Sequence, residues 1–343
     1  MTGTRMFIGG YAGADRLTHG ITAAGFGASA SVQTDVPNPF GFAVSGNVLY
    51  VASNVADGRV HALRIGAEGV LTPIGDQSAR GAGTVQLSLH PLGAWLFAVN
   101  HDSGSVVVFP VAPDGSLGEV ANLVQHTGSG PDPVAQQSPH PHFVVADPSG
   151  ERVLVTDKGT DCLYVYDFDG ETGALSEHAR VRLGSGVGPR SLVVHPNGRH
   201  LYVNTELAST IVVCGYDIAT GQPKILDTVS TLPAGVELWN APSGLAIRPD
   251  GRFLYAANRG HDSIAVFAVS EDGGSLRPVH SQPVGAAATL PWDVVVAADG
   301  SRLYVPNLVA GTVATFGIDQ DSGLLELVEP TLAVPTPACV ALV

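Results

Sequence analysis

Ser138-Pro139-His140-Pro141-His142-Phe143-Val144-Val145 places two imidazoles, one residue apart, at the start of an apolar run. A proline, one variable residue and then a strand is an order that recurs along the whole chain. The variable residue is Phe40, Val85, His142, Arg190, Ser243, Trp292 and Ala338, and a proline precedes each except Val85, which follows Thr84. Successive copies lie 45, 57, 48, 53, 49 and 46 residues apart. Each opening strand leads into a turn such as Asp147-Pro148-Ser149-Gly150 or His195-Pro196-Asn197-Gly198, residues that supply the bends of tight hairpins. A second strand follows, as in Leu49-Tyr50-Val51, Leu96-Phe97-Ala98, Val153-Leu154-Val155, Leu201-Tyr202-Val203, Leu254-Tyr255-Ala256 and Leu303-Tyr304-Val305. Seven such units, each with room for four short strands, predict an all-β chain folded as a seven-bladed β-propeller, with residues 1–343 forming one domain.

The first unit lacks an opening strand. Met6-Phe7-Ile8-Gly9-Gly10-Tyr11 and Gly20-Ile21-Thr22 read as later strands, and the missing one stands at the other end as Pro337-Ala338-Cys339-Val340-Ala341-Leu342. The last blade is therefore expected to be closed by strands from both termini, which removes the free sheet edges of an open ring.

Composition narrows the function classes. Glycine (42) and proline (24) beside only 14% charged residues suit many turns and no long amphipathic helix. A net charge of −14 argues against nucleic acid, whose phosphates demand a basic face. A small anionic substrate stays compatible, because a few arginines can dominate one pocket. No 18-residue apolar run and no signal-peptide core stand out, so no membrane association is expected. Cys162, Cys214 and Cys339 are an odd number without metal spacing, each in a strand-like run. They read as buried reduced thiols of a cytoplasmic protein.

Alternating strand directions bring the start of each first strand and the end of each second strand to one rim of the ring. The second strands end in Ser53-Asn54, Asn100-His101, Asp157-Lys158, Thr205-Glu206, Asn258-Arg259 and Asn307-Leu308. The first member of each pair suits a turn cap. The second member is under no such demand, yet it is His101, Lys158, Glu206 and Arg259 in consecutive units. With His142 and Arg190 from the opening strands, one rim carries an acid, two imidazoles and three cations. Two guanidiniums can hold an anion and stabilise a developing oxyanion. A histidine or glutamate beside them can act as base or acid. His140 and His142, at i and i+2 of an extended segment, face the same way, but no third ligand is evident, so no metal or other cofactor is expected. Two insertions, Gln125 to Pro139 and Thr231 to Pro242, both feed opening strands and are expected over this same face.

At these residues the chain resembles the seven-bladed lactonase family, which includes bacterial propeller-type 6-phosphogluconolactonases and fungal 3-carboxy-cis,cis-muconate lactonising enzymes. The resemblance runs nearly end to end, through Phe7-Ile8-Gly9-Gly10-Tyr11, Asn100-His101-Asp102-Ser103-Gly104-Ser105, Gln137-Ser138-Pro139-His140-Pro141-His142, Gly188-Pro189-Arg190, Thr205-Glu206-Leu207 and Asn258-Arg259-Gly260-His261-Asp262. It implies catalysis by His142, Arg190, Glu206 and Arg259 on a small lactone or anionic substrate. Glu206 or His142 would activate water while the arginines polarise the ester carbonyl. His101, His140, Lys158, Asn258 and Trp292, on the same rim, are expected to bind the substrate. Three departures stand out: Ser191 where bacterial members usually have histidine, Trp292 where arginine is common, and Val55 after Ser53-Asn54 where the unit usually ends in asparagine-glutamate. Three readings remain: hydrolysis of a sugar-type lactone, ring closure or opening on an unsaturated acid, and a propeller that binds without turnover.

Overall fold

The computed structural model describes residues 5–11, 19–25, 31–285 and 289–343. Seven four-stranded antiparallel sheets are built from strands consecutive in sequence, with one exception. Blades 1 to 6 open on inner strands Pro39–Ser45, Thr84–Leu89, Pro141–Ala146, Pro189–Val194, Ala241–Ile247 and Val295–Val296. The exception is blade 7, in which Pro337–Leu342 is the inner strand and Met6–Gly10, His19–Ala24 and Ser31–Pro37 follow outward. Phe7 pairs with Ala341 and Ile8 with Val340, so strands from opposite ends of the chain share one ladder. The propeller and its closure thus form as the repeat spacing indicates.

The second strand of each blade is the part most completely removed from water. Val48–Ser53 is buried at every position, whereas the outer strand Leu71–Ser78 is buried only at Leu71. That difference explains the sequence pattern: a strand sandwiched between blades reads as a continuous apolar run, and an outer strand does not. The recurring tyrosine of these runs is buried but keeps its hydroxyl satisfied. Tyr50 donates to the Gly115 carbonyl at 2.9 Å, Tyr202 to Gly273 at 2.7 Å and Tyr255 to Gly323 at 3.1 Å. Each acceptor sits in the outer hairpin of the following blade, so one side chain fills the core and stitches two blades together.

Cys162, Cys214 and Cys339 are buried and unpaired. Apart from one turn of 3₁₀ helix at Ala67–Gly69 the described residues are strands and turns. No helix among them is long and apolar enough to cross a membrane.

Candidate active site

Most of the proline-plus-one residues owe their position to a defect that recurs from blade to blade. The inner and second strands slip register between Pro39 and Gly41, Thr84 and Gln86, Pro141 and Phe143, Pro189 and Leu192, and Pro242 and Leu245. Such a bulge leaves a residue unpaired and turns its side chain out of the alternating pattern. The proline tolerates the site because it has no N–H to lose from the ladder. Phe40, Val85, His142 and Arg190 are thereby aimed at the channel mouth, where together with Trp292 they line a cavity of about 200 Å³. The pair residues Asn54, His101, Lys158, Glu206 and Arg259 complete its wall, with Tyr11 and Asp102.

Glu206 is the centre of the charged half. Its Oε2 lies 3.0 Å from Arg190 Nε and 2.8 Å from Arg259 NH2, and its Oε1 lies 3.3 Å from Lys158 Nζ. Neither guanidinium contact is aligned as a hydrogen bond, so the attraction is chiefly charge on charge. Burial alone would raise the Glu206 carboxyl, but Arg259, Lys158 and Arg190 overrule it and hold it down at about 2. Arg190 is itself lowered to about 10, by burial first and then by the neighbouring Arg259. Arg259 also donates through Nε to the Ala241 carbonyl at 2.9 Å and lies 4.7 Å under the Trp292 ring.

His142 stands beside this clamp. Burial and the charge of Arg190 keep its pKa well below 6.5. Its Nδ1 is enclosed without a hydrogen-bond partner, which leaves Nε2 as the nitrogen that can meet a molecule in the cavity. His101 is lowered by burial too, against the opposing effect of Asp102, whose carboxylate is 2.8 Å from its Nδ1. His140 does not line the cavity with His142. Its ring stacks on His101 at 4.6 Å and its Nδ1 bonds the His101 carbonyl at 2.9 Å, while His142 meets His101 edge-on at 5.5 Å. The bulge between Pro141 and Phe143 separates two rings that simple alternation would have aligned. Although His101 adjoins both rings, no group of three or more His, Cys, Asp or Glu side chains is placed to hold a metal ion among the described residues.

Asn258 is also absent from the wall. Its amide donates to the Thr231 carbonyl at 2.9 Å and accepts from Asn240 at 3.0 Å. Asn100 does the same work in its blade, donating to Ala79 O at 2.8 Å. Both are turn caps that hold the incoming loop. The insertion at residues 125–139 is anchored through Gln136, which donates to the Lys158 carbonyl at 2.7 Å and to Asp161 at 2.6 Å. The second insertion leaves Trp239 exposed beside Gly260, next to Arg259.

Below the mouth lies a second cavity of about 270 Å³, and the two share Phe40, Val85, His142, Arg190 and Trp292 as a partition. The lower one is lined by the residues one step further along the inner strands, among them Gln86, Ser191 and Asp293. At Val85–Gln86 and Arg190–Ser191 the bulge lets consecutive residues both face the channel, where a regular strand would send the second one away. Asp293 stands one residue beyond the variable position of its unit. The position after each variable residue carries the signal that would have found it. Burial pushes its carboxyl up to about 6 against the opposing Val294 amide and Arg190 charge.

The family model for lactonases, "Lactonase, 7-bladed beta-propeller", matches residues 13–342. The chain is 34% identical over 308 residues to 6-phosphogluconolactonase of Bacillus subtilis (strain 168), covering 86% of this chain and 87% of that one. Among solved structures, the periplasmic gluconolactonase PpgL of Pseudomonas aeruginosa superposes with a TM-score of 0.89 at 27% identity, covering 99% of each chain. A putative 6-phosphogluconolactonase from Bacteroides fragilis NCTC 9343 gives 0.88 at 25% identity over 100% of this chain and 98% of that one. A charged channel mouth on a seven-bladed ring, matched nearly end to end, carries one conclusion. The chain belongs to the seven-bladed β-propeller lactonase family.

Proposed function

We propose that the protein hydrolyses a sugar lactone at the mouth of its central channel, with His142 as the base. The observation that carries this reading is the neutral, unpartnered His142 set beside two guanidiniums that a single carboxylate holds in place. Water attacks the lactone carbonyl carbon as the imidazole takes its proton. The oxyanion that develops faces Arg190 and Arg259, charges already in position before reaction. Collapse breaks the bond to the ring oxygen, which receives the proton, and the hydroxy acid formed then ionises in solution. Glu206 serves better as the counter-ion of the clamp than as a base. A carboxyl held at about 2 has little affinity for a proton at neutral pH. Relatives named for lactone hydrolysis support this direction over ring closure. Three buried free thiols support a cytoplasmic setting, although one structural relative is periplasmic.

Base uptake in a pH-stat on a panel of aldonolactones tests the reading. Turnover is expected, with His142→Gln losing ~10²–10⁴ in kcat/KM, the usual worth of a general base. No turnover of any lactone, or full activity in His142→Gln, would overturn it.

A further inference from the structure

We infer that the site takes an uncharged aldonolactone in preference to a phosphorylated one, and that Trp292 is the residue that sets the choice. The inference rests on the sugar-lactonase reading and adds the substrate's charge. The three cations of the cavity are already engaged, since Lys158, Arg190 and Arg259 all converge on Glu206. Asp102, paired to His101, adds a second carboxylate to the wall. Among the described lining residues, two carboxylates thus offset two of three cations. A phosphate monoester carries about −1.5 to −2 at neutral pH and wants cationic donors of its own. Here it would have to draw guanidiniums away from Glu206 and sit beside that carboxylate. One unbalanced cation matches the single charge of the aldonate that hydrolysis of a neutral lactone leaves behind.

The opposite half of the cavity has no charge to offer. Phe40 meets Tyr11 edge-on at 5.1 Å and Trp292 at 6.1 Å, and Tyr11 and Trp292 lie 6.2 Å apart. The Trp292 ring also covers the Arg259 guanidinium, screening the cation that a phosphate arriving from that side would meet. An apolar wall of this kind suits the C–H face of a sugar ring, while a few polar groups orient it. The volume of about 200 Å³ is below the range usual for pockets of drug-sized ligands.

The test compares kcat/KM for glucono-δ-lactone and 6-phosphoglucono-δ-lactone in the wild type, Trp292→Arg and Trp292→Phe, with melting curves to establish that each is folded. The wild type is expected to favour the neutral lactone by on the order of tenfold or more. Trp292→Phe keeps the aromatic wall and the preference. Trp292→Arg uncovers Arg259, adds a cation and moves the ratio at least about tenfold toward the phosphorylated lactone. A wild type that prefers the phosphorylated lactone, or a folded Trp292→Arg with an unmoved ratio, overturns the inference and leaves the lactonase reading standing. Should Trp292→Arg not fold, the wild-type and Trp292→Phe ratios decide. Turnover of neither lactone sinks the reading and the inference together.

Discussion

His142 and Glu206 are both buried titratable groups, and their opposite surroundings give them separate tasks. A histidine kept neutral by burial and by Arg190 stays available as a base far into acid, because its folded pKa lies well below 6.5. The acid limb of kcat/KM is therefore expected well below pH 6.5; a limb at or above 6.5 would remove His142 from the role. Glu206 is depressed from 4.5 to about 2, so it contributes stability above its unfolded value and loses that contribution as the pH falls from about 4.5 through about 2. Glu206→Gln leaves three cations crowded without their counter-charge. It should cost about 3–5 kcal/mol in denaturant unfolding, as breaking a buried pair does. The same variant frees the guanidiniums, and inorganic phosphate should inhibit it more strongly than the wild type. A Glu206→Gln protein as stable as the wild type would mean that Glu206 does not hold the clamp. Four of these charges were legible in the sequence because a repeat imposes nothing at the slots they occupy. Asp293 and Asp102 were not, since each stands one residue beyond its slot, after Trp292 and after His101. Asn258 was misplaced among the substrate contacts because a cap and a ligand look alike until their partners are known.

At the scale of the strand, the bulge is the device that turns a scaffold into a site, and it depends on close backbone approach. Gly159, in the turn after Lys158, illustrates this. A Cβ there would collide with the Ser138 carbonyl oxygen and come within 2.7 Å of the His140 amide nitrogen. Both are backbone atoms of the segment that leads into His142, so neither can move aside cheaply. The Asp157 carboxylate pins the same segment, accepting from the His140 amide at 2.8 Å and the Gly159 amide at 2.9 Å. Gly159→Ala should therefore displace the 138–140 segment and lower kcat/KM at least about tenfold, with a stability loss of about 1–3 kcal/mol typical of overpacking. Wild-type kinetics in this variant would mean that the segment does not position His142. The sequence carried the strands and the prolines of this element, but not the slip of register. Proline and one free residue mark where the bulge begins; only the pairing shows that two successive side chains then face the channel.

For the molecule as a whole, closure decides whether seven modest sheets behave as one cooperative unit. Each blade buries its second strand against its neighbours, so an open ring would expose two apolar faces and a free edge. The joint is the ladder between Met6–Gly10 and Pro337–Leu342. It is tied onward to blade 1, where Gly9 leaves no room for a Cβ against the Pro39 carbonyl and the Cys339 thiol donates to that same oxygen at 3.6 Å. Ala338 and Cys339 from this strand also line the lower cavity, so closure completes the channel. Removing residues 338–343 takes away the inner strand of blade 7 and strips one side of Met6–Gly10. The expected result is a single melting transition lowered by roughly 10 °C or more, since a loss of several kcal/mol moves a chain of this size by a few degrees for each. Activity should fall with it, because the partition that carries His142 and Trp292 loses its neighbour. If instead the truncated protein melts in two steps, with only a small early one, the blades hold together without the joint. An unchanged melting temperature would refute closure as the source of cooperativity.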